Sequence, residues 1–132
     1  MPEILDTPSA PKAIGPYSVA VEAGGLVFLS GQVDFDPETG ERVPDDIAAQ
    51  TRRVLDNLGL IIGDLGLDYR DVAKTTIFLA DIADYPKVNE IYAEYFGDHP
   101  PARSAVQAGA LPGGFLIEIE VVAERRATEE SR

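Results

Sequence analysis

Cysteine is absent from the chain, and histidine occurs once, as His99. Without cysteine, neither a disulfide nor thiolate chemistry is possible. A lone histidine with no cysteine also gives little support for a transition-metal site. His99 precedes Pro100-Pro101, where a loop or capping role suits it better than that of a catalytic base. We therefore expect the protein to use no metal ion.

Positive charge is scarce too. The chain has 11 Lys+Arg against 23 Asp+Glu, which gives a formal net charge of −12. Proteins that bind nucleic acids usually show a basic surface, because neutralised phosphates supply much of the affinity. The composition therefore argues against DNA or RNA as a partner. It does not argue against a small anionic substrate, which needs only one well-placed arginine.

Long apolar runs are also missing. A membrane-spanning helix needs about 20 consecutive apolar residues, and the chain has no such run. The first 16 residues are polar and rich in proline, which is not typical of a signal peptide. We therefore expect a soluble, cytoplasmic protein with no membrane partner.

Hydrophobic periodicity and turn residues predict the element order β-β-α-β-α-β-β. Apolar residues spaced by three and four predict one helix from about Asp46 to Leu65 and another from about Tyr85 to Phe96. Gly24-Gly25 predicts a two-residue turn between the first two strands. The strands are expected at 17–23, 26–31, 72–80, 103–109 and 115–123.

These elements indicate an α+β fold with a single domain over residues 1–124. Residues 125–132 are expected to form a charged, disordered tail. Two helices can cover only one face of the sheet, yet the strands at 26–31 and 72–80 carry apolar residues on both faces. A monomer would expose the second face, and large exposed apolar patches usually mark interfaces. We therefore expect a homo-oligomer.

The pair formed by Arg103 and Glu118 suggests a chemistry. If residues 111–114 form a hairpin loop, Arg103 and Glu118 lie on the same face of adjacent strands. Arginine can bind a carboxylate through two parallel hydrogen bonds, and a glutamate shielded from solvent can act as a general base. The alternative on spacing alone is a surface ion pair worth at most about 1 kcal/mol.

Six segments of the chain, in order, resemble the Rid (reactive intermediate deaminase, YjgF-like) family over roughly residues 8–123. They are IGPYS at 14–18, GGLVFLSGQ at 24–32, DPETG at 36–40, KTTIFLADIADYPKVNEIYAEYF at 74–96, PARSAV at 101–106 and IEIEVVA at 117–123. The resemblance implies a chorismate-mutase-like fold with a mainly antiparallel mixed sheet and two helices on one face. It also implies a homotrimer with its sites between subunits.

For activity, the resemblance implies hydrolysis of reactive enamine and imine acids, such as 2-aminoacrylate, to a 2-keto acid and ammonia, without a cofactor. Arg103 matches the family's carboxylate-binding arginine, and Glu118 matches the glutamate that activates water. Glu120 ranks second for the latter role.

Further substrate-binding positions follow from the same resemblance. Tyr17 matches the tyrosine that closes the cleft, Ser30 and Gly31 match a pocket-lining segment, and Asn89 matches an asparagine of the second helix. Ala105 stands where many members carry cysteine, and its backbone is expected to contact the substrate.

Two more departures, Val19 and Asp34, are expected to change the rim of the pocket and hence the preferred substrate. A second hypothesis is a non-enzymatic trimer that binds small carboxylates or amino acids and regulates a partner. A third, a ribonuclease or translation inhibitor, is the least compatible with the acidic charge and the single histidine.

Overall fold

A six-stranded mixed sheet carries two helices on one of its faces. The computed structural model describes residues 1–36 and 38–125. Most of the predicted tail, residues 126–132, lies outside the described residues. The elements are β1 (Glu3–Ile4), β2 (Ala20–Ala23), β3 (Leu26–Gln32), α1 (Ile47–Asp64), β4 (Val72–Leu79), α2 (Tyr85–Phe96), β5 (Ala102–Gln107) and β6 (Ile117–Glu124).

Both predicted helices are confirmed to within one residue. The Asp46 side chain caps α1 by accepting a hydrogen bond from the Ala48 amide at 3.0 Å. Helix α2 has a proline in its first turn and Gly97 after its last residue. Ala23 pairs with Leu26 across the predicted glycine turn. Among the described residues, neither helix has the length and apolar character needed to cross a membrane.

The ends of the sheet extend beyond the predicted elements. The short strand β1, in the proline-rich first 16 residues for which no strand was predicted, pairs with β2. Arg125, placed by the sequence in the tail, donates hydrogen bonds to Glu22 and to the Leu65 carbonyl oxygen. Arg125 therefore contacts both the sheet and the end of α1.

The sheet order is β1-β2-β3-β6-β4-β5, and it overturns the predicted hairpin. Strand β4 lies between β5 and β6, pairing with β5 in parallel and with β6 in antiparallel fashion. The segment between β5 and β6 therefore passes over the C-terminal end of β4 and is not a hairpin loop. Hydrophobic patterning identifies strands, but it does not say which strands become neighbours.

The core lies between the helices and one face of the sheet, which we call the helix face. Alternate residues of β3, β4 and β6 pack there against α1 and α2. The opposite face, which we call the open face, carries exposed apolar side chains together with polar ones. Phe28 and Val106 are 40% and 44% exposed on it. An incompletely covered second face, expected from the sequence, is thus present in the single chain.

One buried polar contact joins the sheet to α2. Thr75 of β4 is fully buried, and its Oγ1 lies 2.8 Å from the hydroxyl oxygen of Tyr92, which is 5% exposed. In the parallel register Thr75 is the direct neighbour of Arg103. The hydrogen bond therefore fixes Tyr92 beside the strand position that carries the arginine.

We predict that Thr75→Val lowers the free energy of unfolding by about 1–3 kcal/mol, because it leaves the Tyr92 hydroxyl buried without a partner. Adding Tyr92→Phe should cost less than the sum of the two single changes, because both polar groups are then gone. Urea unfolding of the wild type, the two single variants and the double variant, all at one protein concentration, measures the coupling energy between the two side chains. Additive losses would show that the hydrogen bond contributes nothing to stability.

Candidate active site

Arg103 lies on the helix face of the edge strand β5, half-buried against α2. Its Nη2 donates a hydrogen bond to the Tyr85 hydroxyl at 2.5 Å. Its Cζ lies 4.8 Å from the centre of the Tyr92 ring and 5.4 Å from that of Tyr85. Such cation–π contacts favour a charged group that is partly removed from water. The guanidinium is therefore held in place by aromatic side chains.

The charge of Arg103 is not neutralised within the described chain. Arg42, Arg52, Arg53 and Arg125 each form a salt bridge with a carboxylate, but among residues 1–36 and 38–125 Arg103 forms none. A guanidinium offers five N–H donors, and Tyr85 accepts from one nitrogen only. The remaining donors can bind an external carboxylate.

Two surface concavities meet at Arg103. One, of about 390 Å³, is lined by Asn89 and the segment Pro100-Pro101 among others. The other, of about 530 Å³, is lined by Ile82, Ala83, Tyr85, Pro86, Arg103 and Ala105. The structure thus brings Asn89 and Ala105 to Arg103, on the same side of the sheet.

Glu118 lies on the open face, packed against a glycine in an irregular part of β3. Leu29 pairs with Val121 and Gln32 with Ile119, so two residues of β3 stand opposite one residue of β6. This is a β-bulge, a feature common next to active sites. A Cβ atom at Gly31 would overlap the Glu118 carboxylate. The glycine therefore gives Glu118 room to lie over the backbone of the bulge.

The environment of Glu118 favours its protonated form. Burial raises the pKa of this carboxyl above its usual value of 4.5, and the nearby charge of Glu120 raises it further. Within the described residues, Glu118 has no salt-bridge partner and no side-chain hydrogen bond. A half-buried carboxylate with a raised pKa suits proton transfer near neutral pH.

Ser30 and Glu120 lie beside Glu118 on the open face. Ser30 and Glu120 line a concavity of about 330 Å³ together with Ser18, Lys74 and Thr76. The Ser30 hydroxyl donates to the Ser18 carbonyl oxygen at 2.7 Å, which orders the segment before β2. Tyr17, one residue earlier, is 50% exposed. It therefore lies in a position from which it can contact another molecule.

The prediction that Arg103 and Glu118 share one face of adjacent strands is wrong. Arg103 is in register with Thr75 and Val121 on the helix face, whereas Glu118 is in register with Phe78 and Val106 on the open face. The two residues are separated by two strand spacings and three residues along the strands, so their Cα atoms lie about 14 Å apart. Their side chains leave the sheet on opposite sides.

Asp34 was expected at the rim of a pocket, but it is fully buried. Its Oδ2 accepts a hydrogen bond from the Val43 amide at 3.1 Å, and its Oδ1 lies 3.9 Å from Nε of Arg42. Burial raises the pKa of this carboxyl, and the charge of Arg42 partly opposes the rise. Asp34 therefore fixes the loop before α1 instead of lining a binding surface.

Tyr85 was not among the residues predicted for the site. Its ring packs against the core and lines the larger concavity, and its hydroxyl accepts a hydrogen bond from Arg103. No local pattern could have revealed this contact, because it depends on the parallel pairing of β4 with β5. Among the described residues, no three His, Asp or Glu side chains form a group that could hold a metal ion.

This fold, with two helices on a six-stranded mixed sheet, is that of the YjgF-like proteins. The crystal structure of the YjgF gene product of Escherichia coli matches with a TM-score of 0.84 at 45% identity, over 94% of this chain and 98% of that one. The family model described as Endoribonuclease L-PSP matches residues 7–125. The chain therefore belongs to this family, which confirms the resemblance to Rid and YjgF-like proteins.

Two other relatives carry informative names. The 2-iminobutanoate/2-iminopropanoate deaminase of Homo sapiens is 47% identical over 120 residues, covering 91% of this chain and 88% of that protein. A crystal structure of Escherichia coli TdcF with bound serine matches with a TM-score of 0.85 at 41% identity, covering 94% of this chain and 99% of that one.

The raised pKa of Glu118 predicts a pH-dependent effect of Glu118→Gln on stability. The native environment favours the protonated form of Glu118 more than the unfolded chain does. The stability that this difference contributes is fully present below the ordinary pKa of 4.5 and is lost as the pH rises through the native pKa. The glutamine variant avoids that loss. Its free energy of unfolding should therefore exceed that of the wild type at pH 7, and the excess should shrink as the pH falls towards 4.5.

Urea unfolding between pH 4 and 7.5, at constant protein concentration, measures this difference. Glu3→Gln, which changes an exposed glutamate of β1, is the control and should not alter stability. An excess that stays constant over the whole pH range would contradict a raised native pKa for Glu118.

Proposed function

We propose that the protein hydrolyses reactive enamine and imine acids, of the 2-aminoacrylate class, to a 2-keto acid and ammonia. The active unit is a homotrimer with its sites between subunits. The observation that carries the proposal is the arginine on the helix face. Arg103 is fixed by aromatic side chains, has no carboxylate partner among the described residues and borders two concavities.

Substrate binding rests on Arg103. Its free N–H donors suit a substrate carboxylate, which they would orient as well as attract. Asn89 and Ala105 border the same site and are available for the rest of the substrate. Holding a small molecule by its carboxylate converts a chance encounter into a defined geometry, which lowers the entropic part of the barrier.

Glu118 supplies the proton transfers. The enamine reacts through its imine tautomer. Water adds to the carbon of the protonated imine and gives one proton to the Glu118 carboxylate, and the product is a neutral carbinolamine. Glu118 then returns this proton to the amine nitrogen. As the C–N bond breaks, Glu118 takes the proton of the carbinolamine hydroxyl, the carbonyl forms, and the departing ammonia carries that proton away as ammonium. A carboxyl whose pKa is raised by burial can accept and return a proton more readily than a fully solvated one.

A second copy of the chain is needed to bring these groups together, because Arg103 and Glu118 leave opposite faces of the sheet. The open face that carries Glu118 also exposes Phe28 and Val106, which suits burial against a partner. In this arrangement, the Arg103 side of one subunit meets the Glu118 side of its neighbour. Tyr17, Ser30 and Gly31 belong to the Glu118 side.

The names of the relatives support the proposal. The human protein is named for deamination of 2-iminobutanoate and 2-iminopropanoate, which are small imino acids. TdcF was crystallised with serine, a small molecule with a carboxylate and an amino group. The family description names an endoribonuclease instead. A net charge of −12 and a single histidine make RNA a poor substrate for this chain.

We predict that Arg103→Ala abolishes the acceleration of 2-aminoacrylate loss, lowering kcat/KM by roughly 100-fold or more. Glu118→Gln should retain carboxylate binding but lose turnover, by roughly 100- to 10,000-fold. A pyridoxal-phosphate lyase can generate the substrate, and its decay is followed with each variant. Arg52→Ala and Glu94→Gln, which only break a salt bridge between the helices, are matched controls and should stay active.

Equal decay with and without the wild-type protein would reject the enzyme and favour a carboxylate-binding regulator. RNA cleavage that copurifies with the protein and survives Arg103→Ala would favour the nuclease.

A mixing experiment tests whether each site is shared between subunits. We predict that Arg103→Ala and Glu118→Gln, each inactive alone, regain activity when unfolded and refolded together. In randomly mixed trimers, roughly a quarter of the sites would combine an intact arginine with an intact glutamate from the neighbouring subunit. The recovered activity should approach that fraction of the wild-type value. No recovery, despite mixed trimers shown by native mass spectrometry, would exclude shared sites.

A further inference from the structure

We propose that Tyr85 is a positioning residue for Arg103 and thereby sets the affinity for the substrate carboxylate. The inference rests on the proposed function, because it assigns a role within that site. It concerns the tyrosine hydroxyl, which forms the only side-chain hydrogen bond of Arg103 among the described residues. The ring alone would not supply this restraint.

The direction of the hydrogen bond is fixed by chemistry. A guanidinium has no acceptor, so the Tyr85 oxygen must accept from Nη2 of Arg103. Arginine is planar and its donors lie in fixed directions, so restraining one nitrogen restrains the orientation of the whole group. Tyr85 therefore determines which edge of the guanidinium remains free to bind a carboxylate. A freely rotating guanidinium would have to be ordered by the ligand itself.

Tyr85 is itself anchored to the strand that carries Arg103. The backbone amide of Ile82, in the turn before α2, donates to the side-chain oxygen of Gln107 at 2.8 Å. Gln107 and Arg103 project from β5 on the same face, with Ala105 between them. Two hydrogen bonds thus tie the start of α2 to β5 on either side of Ala105. Together they keep the tyrosine at a constant position relative to the arginine.

The neighbouring aromatic residue cannot take over this role. Tyr92 also contacts the guanidinium, but its hydroxyl is engaged with Thr75 in the core. Its ring can attract the cation without defining the rotation of the guanidinium plane. Tyr85→Phe therefore removes the orienting contact while it keeps both rings in place.

The test compares binding and turnover in Tyr85→Phe. We expect KM for 2-aminoacrylate and the dissociation constant of L-serine to rise together by roughly tenfold, since a hydrogen bond to a charged group is lost. We expect kcat to change by less than about twofold, because Glu118 is untouched. Tyr95→Phe is the matched control. It also removes a hydroxyl from α2, but that hydroxyl bonds Asp56 of α1, and both constants should stay unchanged.

A double-mutant cycle separates orientation from general packing. In an Arg103→Lys background, the tyrosine hydroxyl no longer has a planar group to orient, so Tyr85→Phe should change serine affinity by less than about twofold. An equal effect in both backgrounds would show a packing role and overturn the inference. Unchanged KM and serine affinity in Tyr85→Phe alone would overturn it as well.

Failure of the proposed function gives a different result. A wild-type protein that binds serine through Arg103 but does not accelerate imine hydrolysis would refute the enzyme, while the serine titrations would still decide the role of Tyr85. Absence of serine binding to the wild type would overturn the inference whatever the hydrolysis assay gives.

Discussion

The position of β4 between β5 and β6 determines how the candidate site is built. Because β4 pairs with both strands, β5 becomes an edge strand whose arginine faces the helices. The same pairing places Glu118 on the other side of the sheet. A direct hairpin would have put the two groups side by side, where they could neutralise each other as a surface ion pair. In the observed strand order the two groups lie on opposite faces, so neither neutralises the other within the chain.

Partly burying the side chains of Arg103 and Glu118 costs free energy, which their surroundings reduce but do not remove. Arg103 is half-buried without an opposite charge among the described residues, and two tyrosines partly offset its loss of water. Glu118 is half-buried beside Glu120 and over the bulge at Gly31, and its pKa rises as a result. A bound carboxylate would relieve the first cost. The raised pKa of Glu118 suits the proton transfers proposed for it.

Much of the fold could be predicted from the sequence, because it depends on local patterns. The periodicity of 47–64 and 85–96 gave both helices, and Gly24-Gly25 gave the turn. Which residues of β5 and β6 share a face of the sheet could not be predicted in the same way, because it depends on β4, a third strand that lies between them. The residues that meet at Arg103 were identified in part through the family, as Asn89 and Ala105. Tyr85 was missed, since its contact exists only in the parallel register.

The anchoring of α2 to β5 gives this arrangement a physical rationale. An edge strand is paired along one side only, so its backbone is held by one neighbouring strand instead of two. Here the hydrogen bonds of Gln107 to Ile82 and of Arg103 to Tyr85 constrain it from the helix side. A guanidinium held in one orientation before the ligand arrives loses less entropy on binding. The small side chain of Ala105 lies between these two bonds and lines the larger concavity, so it leaves room there for the ligand proposed above.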